Sequence, residues 1–296
     1  MFNIIGRKSI FLSISGLLVL ASIVAIAVYG FKPGIDFVGG TLWEIKPITQ
    51  VSRAEVQDVF VKELAVSDAL ITETSEAGFL IRLPETSEAN HVAYLSKFTE
   101  KLGEVTELRF ETIGAAVGGE LRQKAITAFI FVLVGISLYI AFAFRKVSRP
   151  VNSWKYGTVT LITLFHDALI PVGLFAVLGN FYGIEVDTNF IVAILVVMGF
   201  SVHDTIVVFD RIRERLRLAG GAPKDFEGLV NESVNQTMAR SINTSLTLVL
   251  VLLALYFFGS ENLSYFVLTI LVGTIVGTYS SIFVASPLIV LWRKRN

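Results

Sequence analysis

The stretch GFSVHDTIVVFDRIRERLR, residues 199–217, combines an apolar half with a highly charged half in one segment. The first half is rich in Val, Ile and Phe, yet it carries His203 and Asp204. The second half mixes Arg with Glu, and neither Gly nor Pro separates it from the first. Ile212 and Leu216 form an apolar pair at i,i+4 spacing, which places them on one helix face. The pattern predicts a membrane helix that continues beyond the lipid as an amphipathic helix.

The composition of the whole chain also indicates a membrane protein. Of the 296 residues, 53% are hydrophobic and only 17% are charged, whereas soluble domains carry roughly 25% charged residues. The net charge is zero, which gives no reason to expect a nucleic-acid partner. The chain has no Cys, and this excludes disulfides, thiol chemistry and Cys-based zinc sites.

Six apolar runs are long enough to cross a hydrocarbon core of ~30 Å as helices. Four of them carry no charged residue, and two carry a His-Asp pair. The first run follows Arg7 and Lys8, and Ala25-Ile26-Ala27 within it is weakly similar to a signal-peptide cleavage site. The run exceeds the roughly 7–15 apolar residues usual in signal peptides, so we favour an uncleaved anchor. The runs are residues 10–30, 125–144, 157–178, 189–209, 241–259 and 263–291.

Residues 31–124, between the first two runs, are polar enough and long enough for one small domain. Their pattern predicts strand, helix, strand, strand, helix, strand, which is the order of the ferredoxin-like split β-α-β unit. Ser52 and Glu55 form a capping box at the start of the first helix, and Ala77-Gly78 supplies the turn between the middle strands. We interpret the domain as a binding or mechanical module, because it shows no catalytic constellation. The predicted strands are 37–45, 69–74, 79–84 and 105–113, and the predicted helices are 52–64 and 88–102.

The distribution of Lys and Arg near the span ends predicts the orientation in the membrane. The loops GNFYGIEVD, residues 179–187, and SENLS, residues 260–264, contain neither Lys nor Arg. Both termini are therefore expected in the cytoplasm, and residues 31–124 outside it. Residues 1–30 then hold the N-terminus and first span, and residues 125–296 hold five spans with a cytoplasmic amphipathic loop at about 210–240. The cytoplasmic positive residues are Arg7, Lys8, Arg145, Lys146, Arg149, Lys155, those from Arg211 to Lys224, Arg240, Arg293, Lys294 and Arg295.

The pairs His166-Asp167 and His203-Asp204 are the groups of these spans whose insertion into the membrane costs the most free energy. An Asp at the centre of a membrane helix costs roughly 2.5–3.5 kcal/mol on insertion scales. One interpretation is that Asp204 lies near the cytoplasmic end and reaches the wet interface, helped by Arg211. The other, which we favour, is that these groups face the bundle interior and form a polar path or proton relay. His203 and Asp204 lie about 100° apart on a helix, so they need not line the same path.

Arg240 precedes the fifth apolar run, whose first two turns are crowded with polar side chains. Such groups form hydrogen bonds across membrane helices, and Arg240 is the natural counter-charge for Asp204. Alternatively, Arg240 is only a positive anchor at the interface. We expect residues 220–223 to break the amphipathic helix and residues 224–238 to form a second interfacial helix, which brings Arg240 near Asp204. The crowded side chains are Ser241, Asn243, Thr244, Ser245 and Thr247.

The sequence signatures of several enzyme classes are absent. The chain lacks the H-E-x-x-H zincin motif and a nucleotide-binding P-loop. Asp167 and Asp204 lie in adjacent spans, as in aspartyl intramembrane proteases, but the Gly-flanked Asp motifs of those proteases are missing. Two His-Asp pairs could ligate a metal, yet the chain has only three His, which makes this a weak alternative. We therefore expect no enzymatic activity, no cofactor and no metal.

Four motifs follow one another along the chain: GIDFVGGT at residues 34–41, GFSVHDTIVVFDRIRE at 199–214, NESVNQTMARSINTSLT at 231–247 and GTYSSIFVASPL at 277–288. Together they resemble the SecF family of bacterial protein-export proteins. The match extends through nearly the whole chain and implies membership of the resistance–nodulation–division superfamily. In the first motif, we expect structural roles for Gly34, Asp36, Gly39 and Gly40.

The resemblance implies a heterodimer with SecD, in which each partner contributes six spans and one outer domain. Such a complex resides in the inner membrane and uses the proton-motive force to draw preproteins from the SecYEG channel. YajC, the preprotein itself and membrane lipids are the other expected contacts, and nucleic acid is not. The residues implicated in proton passage are then Asp204 and Arg240, joined by a carboxylate of SecD. Our further candidates are His203 and, with lower priority, His166, Asp167, Asn243 and Ser245.

The sequence departs from the family pattern in three places. His203 stands where the family commonly has Asn, Leu248 stands where many members have a second Thr, and Gly114-Ala115 replaces a frequent Gly-Pro. Only the first departure makes a transferred role less secure, because His203 adds a titratable group beside Asp204.

Two alternative functions remain open from the sequence. The chain could be half of a proton-driven exporter of small molecules or lipids, or a passive scaffold whose outer domain only binds partners. The scaffold predicts that Asp204 and Arg240 can be replaced without loss. Gly273 and Gly277 form a small-residue stripe whose packing partner the sequence leaves open.

Overall fold

The computed structural model describes residues 2–74, 78–144, 151–220, 223–260 and 263–293. The chain divides into two compact units, which we name the sheet unit and the helical unit. The sheet unit comprises Lys32–Ile126 together with Glu185–Thr188. The helical unit comprises Met1–Phe31, Thr127–Ile184 and Asn189–Asn296.

Helices and strands of the described residues are numbered in chain order. They are α1 Lys8–Tyr29, α2 Ile35–Val38, β1 Gly40–Pro47, α3 Arg53–Asp58, β2 Leu70–Glu73, β3 Phe79–Leu83, α4 Glu88–Leu102, β4 Val105–Ile113, α5 Ala115–Ala143, α6 Ser153–Tyr182, α7 Thr188–Leu218, α8 Phe226–Phe258, α9 Ser264–Ser280 and α10 Ser286–Leu291. A 3₁₀ turn at Ile5–Arg7 precedes α1, and π-helical turns at Val59–Glu63 and Ser281–Ala285 follow α3 and α9.

In the described part of the sheet unit, four antiparallel strands lie in the order β2-β3-β1-β4. With α3 and α4 between β1 and β2 and between β3 and β4, this is the ferredoxin-like order that the sequence predicted. The capping box is confirmed, because Ser52 Oγ accepts from the Glu55 N–H at 3.3 Å and Glu55 Oε2 accepts from the Ser52 N–H at 2.8 Å. Of the predicted turn, Gly78 is described and Ala77 lies outside the described residues.

The first predicted strand, residues 37–45, begins too early. Residues Ile35–Val38 form the helical turn α2, and the strand begins at Gly40. Gly39 separates the two with a φ of +79°, a conformation that residues with a Cβ rarely adopt. The other predicted strands agree with the structure to within one residue at each end, and the first predicted helix changes to a π turn after Asp58.

The sheet unit has its own hydrophobic core around Trp43, which is fully buried. The rings of Phe98 and Phe60 meet its indole edge-on, with centroids 5.3 and 6.3 Å away. The Trp43 indole N–H donates to Glu107 Oε2 at 2.8 Å, and the same oxygen lies 2.5 Å from His91 Nε2. The polar atoms next to this core are therefore partnered, as buried polar groups of stable domains normally are.

The described residues contain six helices that are long and apolar enough to cross a membrane, as the sequence predicted. They are Ile5–Tyr29, Ala115–Ile140, Trp154–Tyr182, Thr188–Leu218, Phe226–Phe258 and Ser264–Leu291. The last of them includes α9, the π turn at Ser281–Ala285 and α10. Pro287 has no N–H to donate within the helix, and the π turn just before it adjusts the hydrogen-bond pattern to this loss.

The stretch at residues 199–217 belongs to one continuous helix, α7, as predicted. The prediction of a separate helix at residues 224–238 is wrong, because α8 runs unbroken from Phe226 to Phe258. No Pro interrupts these residues, and Asp225 caps their start by accepting from the Gly228 N–H at 2.8 Å. Of the predicted break at residues 220–223, Gly221 and Ala222 lie outside the described residues.

Two side-chain contacts join the charged end of α7 to the first turns of α8. Arg211 Nε donates to Gln236 Oε1 at 2.8 Å, and Arg215 forms an ion pair with Glu232. The apolar pair predicted on this part of α7, Ile212 and Leu216, is buried. The amphipathic end of α7 is therefore one arm of a helical hairpin within the helical unit.

Asn231 and Asn235 on α8 hold the N-terminal segment of the chain. Asn231 Oδ1 accepts from the N–H groups of Ile4 and Ile5 at 2.9 and 3.1 Å. Asn235 Oδ1 accepts from the Phe2 N–H at 2.8 Å, and both Asn side chains donate to the Phe2 carbonyl. These contacts give a structural role to two residues of the NESVNQTM segment whose role the sequence alone did not indicate.

Candidate functional site

Asp204 lies in the apolar part of α7, and only 2% of its surface is exposed. Its Oδ2 atom is 3.4 Å from Ser245 Oγ of α8, which is long for a hydrogen bond between oxygens. The single hydroxyl proton of Ser245 has a nearer acceptor in the Ser241 carbonyl, at 2.8 Å, and Ser245 Oγ accepts from Thr278 Oγ1 of α9 at 2.5 Å. A line of hydroxyl groups therefore connects the Asp204 carboxylate to both α8 and α9.

One face of α7 brings Asp204 into the interior of the helical unit. Buried residues recur on it every three or four positions, which is the period of a single helix face. Three of the other four buried residues on this face are apolar, and the hydroxyl groups near the Asp204 carboxylate come from α8 and α9. The buried residues of this face are Val197, Ser201, Asp204, Val208 and Ile212.

The small-residue stripe of α9 packs on this face of α7. A Cβ atom added to Gly273 would lie 2.3 Å from Val197 Cγ2, and one added to Gly277 would lie 3.1 Å from Ser201 Cβ. The contact at Gly273 is too short for a Cβ unless the neighbouring residues move, and the one at Gly277 would require Ser201 to shift by a few tenths of an ångström. Gly273 and Gly277 therefore pack against α7 of the same chain, which answers the question that the sequence left open.

Three of the predicted proton-path residues do not line this interior. His203 is exposed, because successive residues on a helix point about 100° apart. Arg240 and Asn243 are exposed on α8, whereas Ser245 is buried. Within the described residues, no ion pair of 4.0 Å or less joins Arg240 to Asp204. The expected pairing fails within this chain because Arg240 lies about 140° around α8 from Ser245, the residue that contacts Asp204.

Asp167 on α6 is fully buried and has more hydrogen-bond partners than Asp204. Ser280 Oγ of α9 donates to its Oδ2 atom at 2.6 Å, and Ser201 Oγ of α7 donates to the same atom. His166 Nδ1 lies 2.8 Å from Asp167 Oδ1. This carboxylate joins three helices, although the sequence gave it lower priority than Asp204. Sequence reasoning missed Ser201 and Ser280, and the available signal was a hydroxyl one helical turn before Asp204.

The two carboxylates are connected through α7, since Ser201 and Asp204 lie one turn apart on its buried face. Some buried polar atoms of these helices have no hydrogen-bond partner among the residues that the structure describes. Such atoms are uncommon in folded proteins, where buried polar groups are normally hydrogen-bonded to protein or to ordered water. On α6, α7, α8 and α9 these atoms are Tyr156 Oη, His166 Nε2, Thr205 Oγ1, Ser241 Oγ and Thr274 Oγ1.

Comparison with known proteins identifies the family. Residues 94–295 match the family model "Protein export membrane protein SecD/SecF, C-terminal", and residues 24–46 match "SecD/SecF GG Motif". The protein translocase subunit SecF of Thermobaculum terrenum is 42% identical over 308 residues, covering 100% of this chain and 95% of that protein. The chain belongs to the SecF family. A second SecF, from Anaerolinea thermophila, is 36% identical, with 99% of this chain and 95% of that protein covered.

A solved structure extends the similarity to the fold. The crystal structure of SecDF from Thermus thermophilus superposes with a TM-score of 0.85 at 36% sequence identity. The match covers 98% of this chain but 38% of that one, so this chain spans less than half of the SecDF polypeptide. The SecF fold of this chain therefore corresponds to one part of a longer protein in Thermus.

The SecF GG motif shapes the start of β1. Gly39 and Gly40 both have positive φ, +79° and +120°. A Cβ atom on Gly40 would lie 2.9 Å from the Leu83 carbonyl oxygen, so a larger residue would separate β1 from β3. The Asp36 side chain of the same motif contacts the start of α7 instead of the sheet: its Oδ2 atom accepts from the Thr188 N–H at 2.7 Å. The motif therefore contacts the first residue of α7 as well as the sheet.

Proposed function

We propose that the chain is the SecF subunit of a SecD–SecF complex that uses the proton-motive force to assist preprotein export. The observation that carries the proposal is the buried Asp204 in the apolar part of α7, in a chain of the SecF family. SecD is supported as the partner by the similar Thermus chain, a SecDF of which the matched part is 38%. The chain acts as a non-enzymatic transport subunit.

Proton binding at Asp204 changes both its charge and its hydrogen bonding. A carboxylate only accepts hydrogen bonds, whereas a carboxylic acid also donates one. Ser245 and Thr278 face this change from α8 and α9, so gain or loss of a proton alters how three helices are held together. Each proton that crosses about 100 mV releases roughly 2.3 kcal/mol. A few protons per cycle therefore supply enough free energy to repack the helices.

SecD completes the proton path in this proposal. His203, Arg240 and Asn243 are exposed on α7 and α8 of the single chain, although they lie within or beside apolar spans. An arginine in such a position normally pairs with an acidic group. A carboxylate of SecD is the counter-charge that we assign to Arg240. Asp167, with its partners Ser201 and Ser280, then forms a second protonatable group on the α6 side of α7.

The proposed topology has both termini in the cytoplasm and residues 31–124 on the periplasmic side of the inner membrane. The support is the distribution of Lys and Arg, which are absent from the loop at residues 179–187. In this orientation the sheet unit faces a preprotein that emerges from the SecYEG channel. YajC and membrane lipids are the remaining proposed contacts.

Preprotein export in cells whose only copy carries Asp204→Asn tests the proposal. Asn keeps the size of the side chain but cannot bind or release a proton, so we expect the rate of signal-peptide removal to fall several-fold. Arg240→Met should cause a similar fall. Both variants should accumulate normally and copurify with SecD. Unchanged export at normal abundance would instead favour the passive scaffold.

Asp210→Asn is the matched control. Asp210 lies six residues further along α7, where it is exposed and forms an ion pair with Arg213 at 2.7 Å. The substitution makes the same chemical change outside the buried face, and we expect normal export. An equal loss with Asp210→Asn would show that the total charge of α7 matters rather than the buried position.

A further inference from the structure

The segment Glu185–Thr188 connects α6 to α7, yet it clusters with the sheet unit. Its backbone pairs with the chain just after α1: the Gly34 N–H donates to the Val186 carbonyl, and the Val186 N–H donates to the Lys32 carbonyl, both at 2.8 Å. Pro33 and Val186 thereby form an isolated parallel bridge. The segment is therefore held by hydrogen bonds and is not a free linker.

Arg82 of β3 strengthens the same attachment. Its Nη2 atom donates to Glu185 Oε2 and to the Pro33 carbonyl, each at 2.7 Å. The side chains of Arg82 and Glu185 are 24% and 23% exposed, so this ion pair is more shielded from solvent than an ordinary surface pair. The sheet thus contacts both partners of the backbone bridge.

Asp36 holds Thr188, the first residue of α7, within the sheet unit. Its carboxylate accepts from the Thr188 N–H at 2.7 Å, which satisfies one of the free N–H groups at the helix start. A negative charge there is also favoured by the helix dipole. Asp36 belongs to the short helix α2, but it caps a different helix, 152 residues away in the chain. We name Asp36, Arg82 and residues 185–188 the clamp.

We propose that the clamp couples displacement of the sheet unit to displacement of α7, with Asp36 as the positioning residue. Asp204 lies 16 residues after Thr188 on the same unbroken helix, or about 24 Å along its axis. A continuous helix transmits axial and tilting movements along its length. A change of packing at Asp204 therefore reaches the sheet unit through Thr188 and the clamp. This inference rests on the proposed role of Asp204.

Distance measurements between two spin labels test the coupling in the full chain complexed with SecD. Because the chain has no native Cys, Thr106→Cys on β4 and Leu218→Cys at the end of α7 can be labelled uniquely in this subunit. Both native side chains are exposed. We expect Asp204→Asn to shift the mean distance between the labels. Adding Asp36→Ala should abolish most of that shift, and Asp36→Asn, which keeps an oxygen for the Thr188 N–H, should retain it.

A purely structural role for Asp36 makes a different prediction. It predicts that any loss of export in Asp36→Ala follows loss of folded protein, whereas the coupling predicts reduced export at normal abundance with recovery in Asp36→Asn. A shift that persists in Asp36→Ala, and also in Asp36→Ala/Arg82→Ala, would overturn the proposal. So would the absence of a shift in Asp204→Asn while export falls. Normal export in Asp204→Asn would instead reject the proposed function itself.

Discussion

Ser280 donates a hydrogen bond of 2.6 Å to the carboxylate of Asp167, and so joins the sixth apolar helix to the third. The same carboxylate oxygen accepts from Ser201 of α7, one turn before Asp204. The Asp167 carboxylate therefore has a hydrogen-bond partner on α7 one helical turn from Asp204, the acid to which we assign proton binding. Any rearrangement around Asp204 that moves α7 also affects the partners of Asp167.

Ser280→Ala removes one of the two hydroxyl donors of Asp167 Oδ2. Hydrogen bonds between membrane helices contribute about 0.6–1.7 kcal/mol, so we expect a loss of stability of that size in thermal unfolding of the detergent-solubilised complex. Ser281→Ala is the control, because the Ser281 hydroxyl donates to the carbonyl of Thr278 in its own helix. Equal stability of the two variants would contradict the role of Ser280.

Gly273→Val should separate α9 from α7. The new side chain would collide with Val197, and overpacking of this kind costs on the order of 1–3 kcal/mol. We expect reduced thermal stability and reduced export. Gly135→Val on α5 makes the same change where nothing lies within 4 Å of the added Cβ, and it should be tolerated by the chain itself. A tolerated Gly273→Val would mean that the stripe is not a tight contact.

Asn231→Ala should release the N-terminal segment from α8. The variant loses the acceptor of the Ile4 and Ile5 N–H groups and one donor to the Phe2 carbonyl. We expect faster hydrogen exchange and faster proteolysis within residues 2–8, while α7 and α9 remain protected. Gln236→Ala is the control on the same part of α8. The Gln236 side chain contacts Arg211 rather than the N-terminal segment, so this variant should leave the segment protected.

Burial raises the pKa of the Glu185 carboxyl, and the neighbouring Arg82 and Lys32 oppose this, whereas Asp187 and Asp36 add to it. A pKa that is higher in the folded than in the unfolded state gives stability at low pH that is lost as the pH rises through the raised value. We therefore expect the sheet unit of the full chain to become more sensitive to proteolysis as the pH rises from the ordinary carboxyl pKa through the raised pKa of Glu185.

Glu185→Gln should remove this part of the pH dependence, because Gln does not titrate in that range. Glu88→Gln, at a side chain that is 81% exposed, should leave it unchanged. A pH dependence that is identical in Glu185→Gln and in the unsubstituted chain would assign the effect to another group.

Much of this architecture could be predicted from the sequence, because the spacing of apolar residues and the position of charged residues determine which segments cross the membrane and which form helices or strands. Apolar length predicted six spans, and alternating strands with capped helices predicted the order of the sheet. The cost of a charge in lipid singled out Asp204, because a carboxylate within an apolar run is visible in the sequence itself. These features depend on residues close to one another in the chain.

Features that depend on the rotation of one helix against another were harder to predict. The position of Arg240 along the chain suggested a pair with Asp204, but Arg240 is exposed on α8 and forms no such pair among the described residues. Ser201, Ser280 and the two Asn residues of α8 acquire their roles only from tertiary packing. The helix predicted at residues 224–238 was wrong because nothing local ends it, and α8 continues through Arg240.

The most direct test of proton coupling compares preprotein export before and after the proton-motive force is collapsed, in cells that carry either the unsubstituted chain or Asp204→Asn. If protons act through Asp204, collapse of the proton-motive force slows export in cells with the unsubstituted chain. Export in Asp204→Asn cells is already slow before the collapse, and the collapse reduces it little further through this subunit. Asp210→Asn should behave like the unsubstituted chain. Proton coupling at Asp204 would be refuted by Asp204→Asn cells that export at the full rate and lose as much on collapse as the unsubstituted cells.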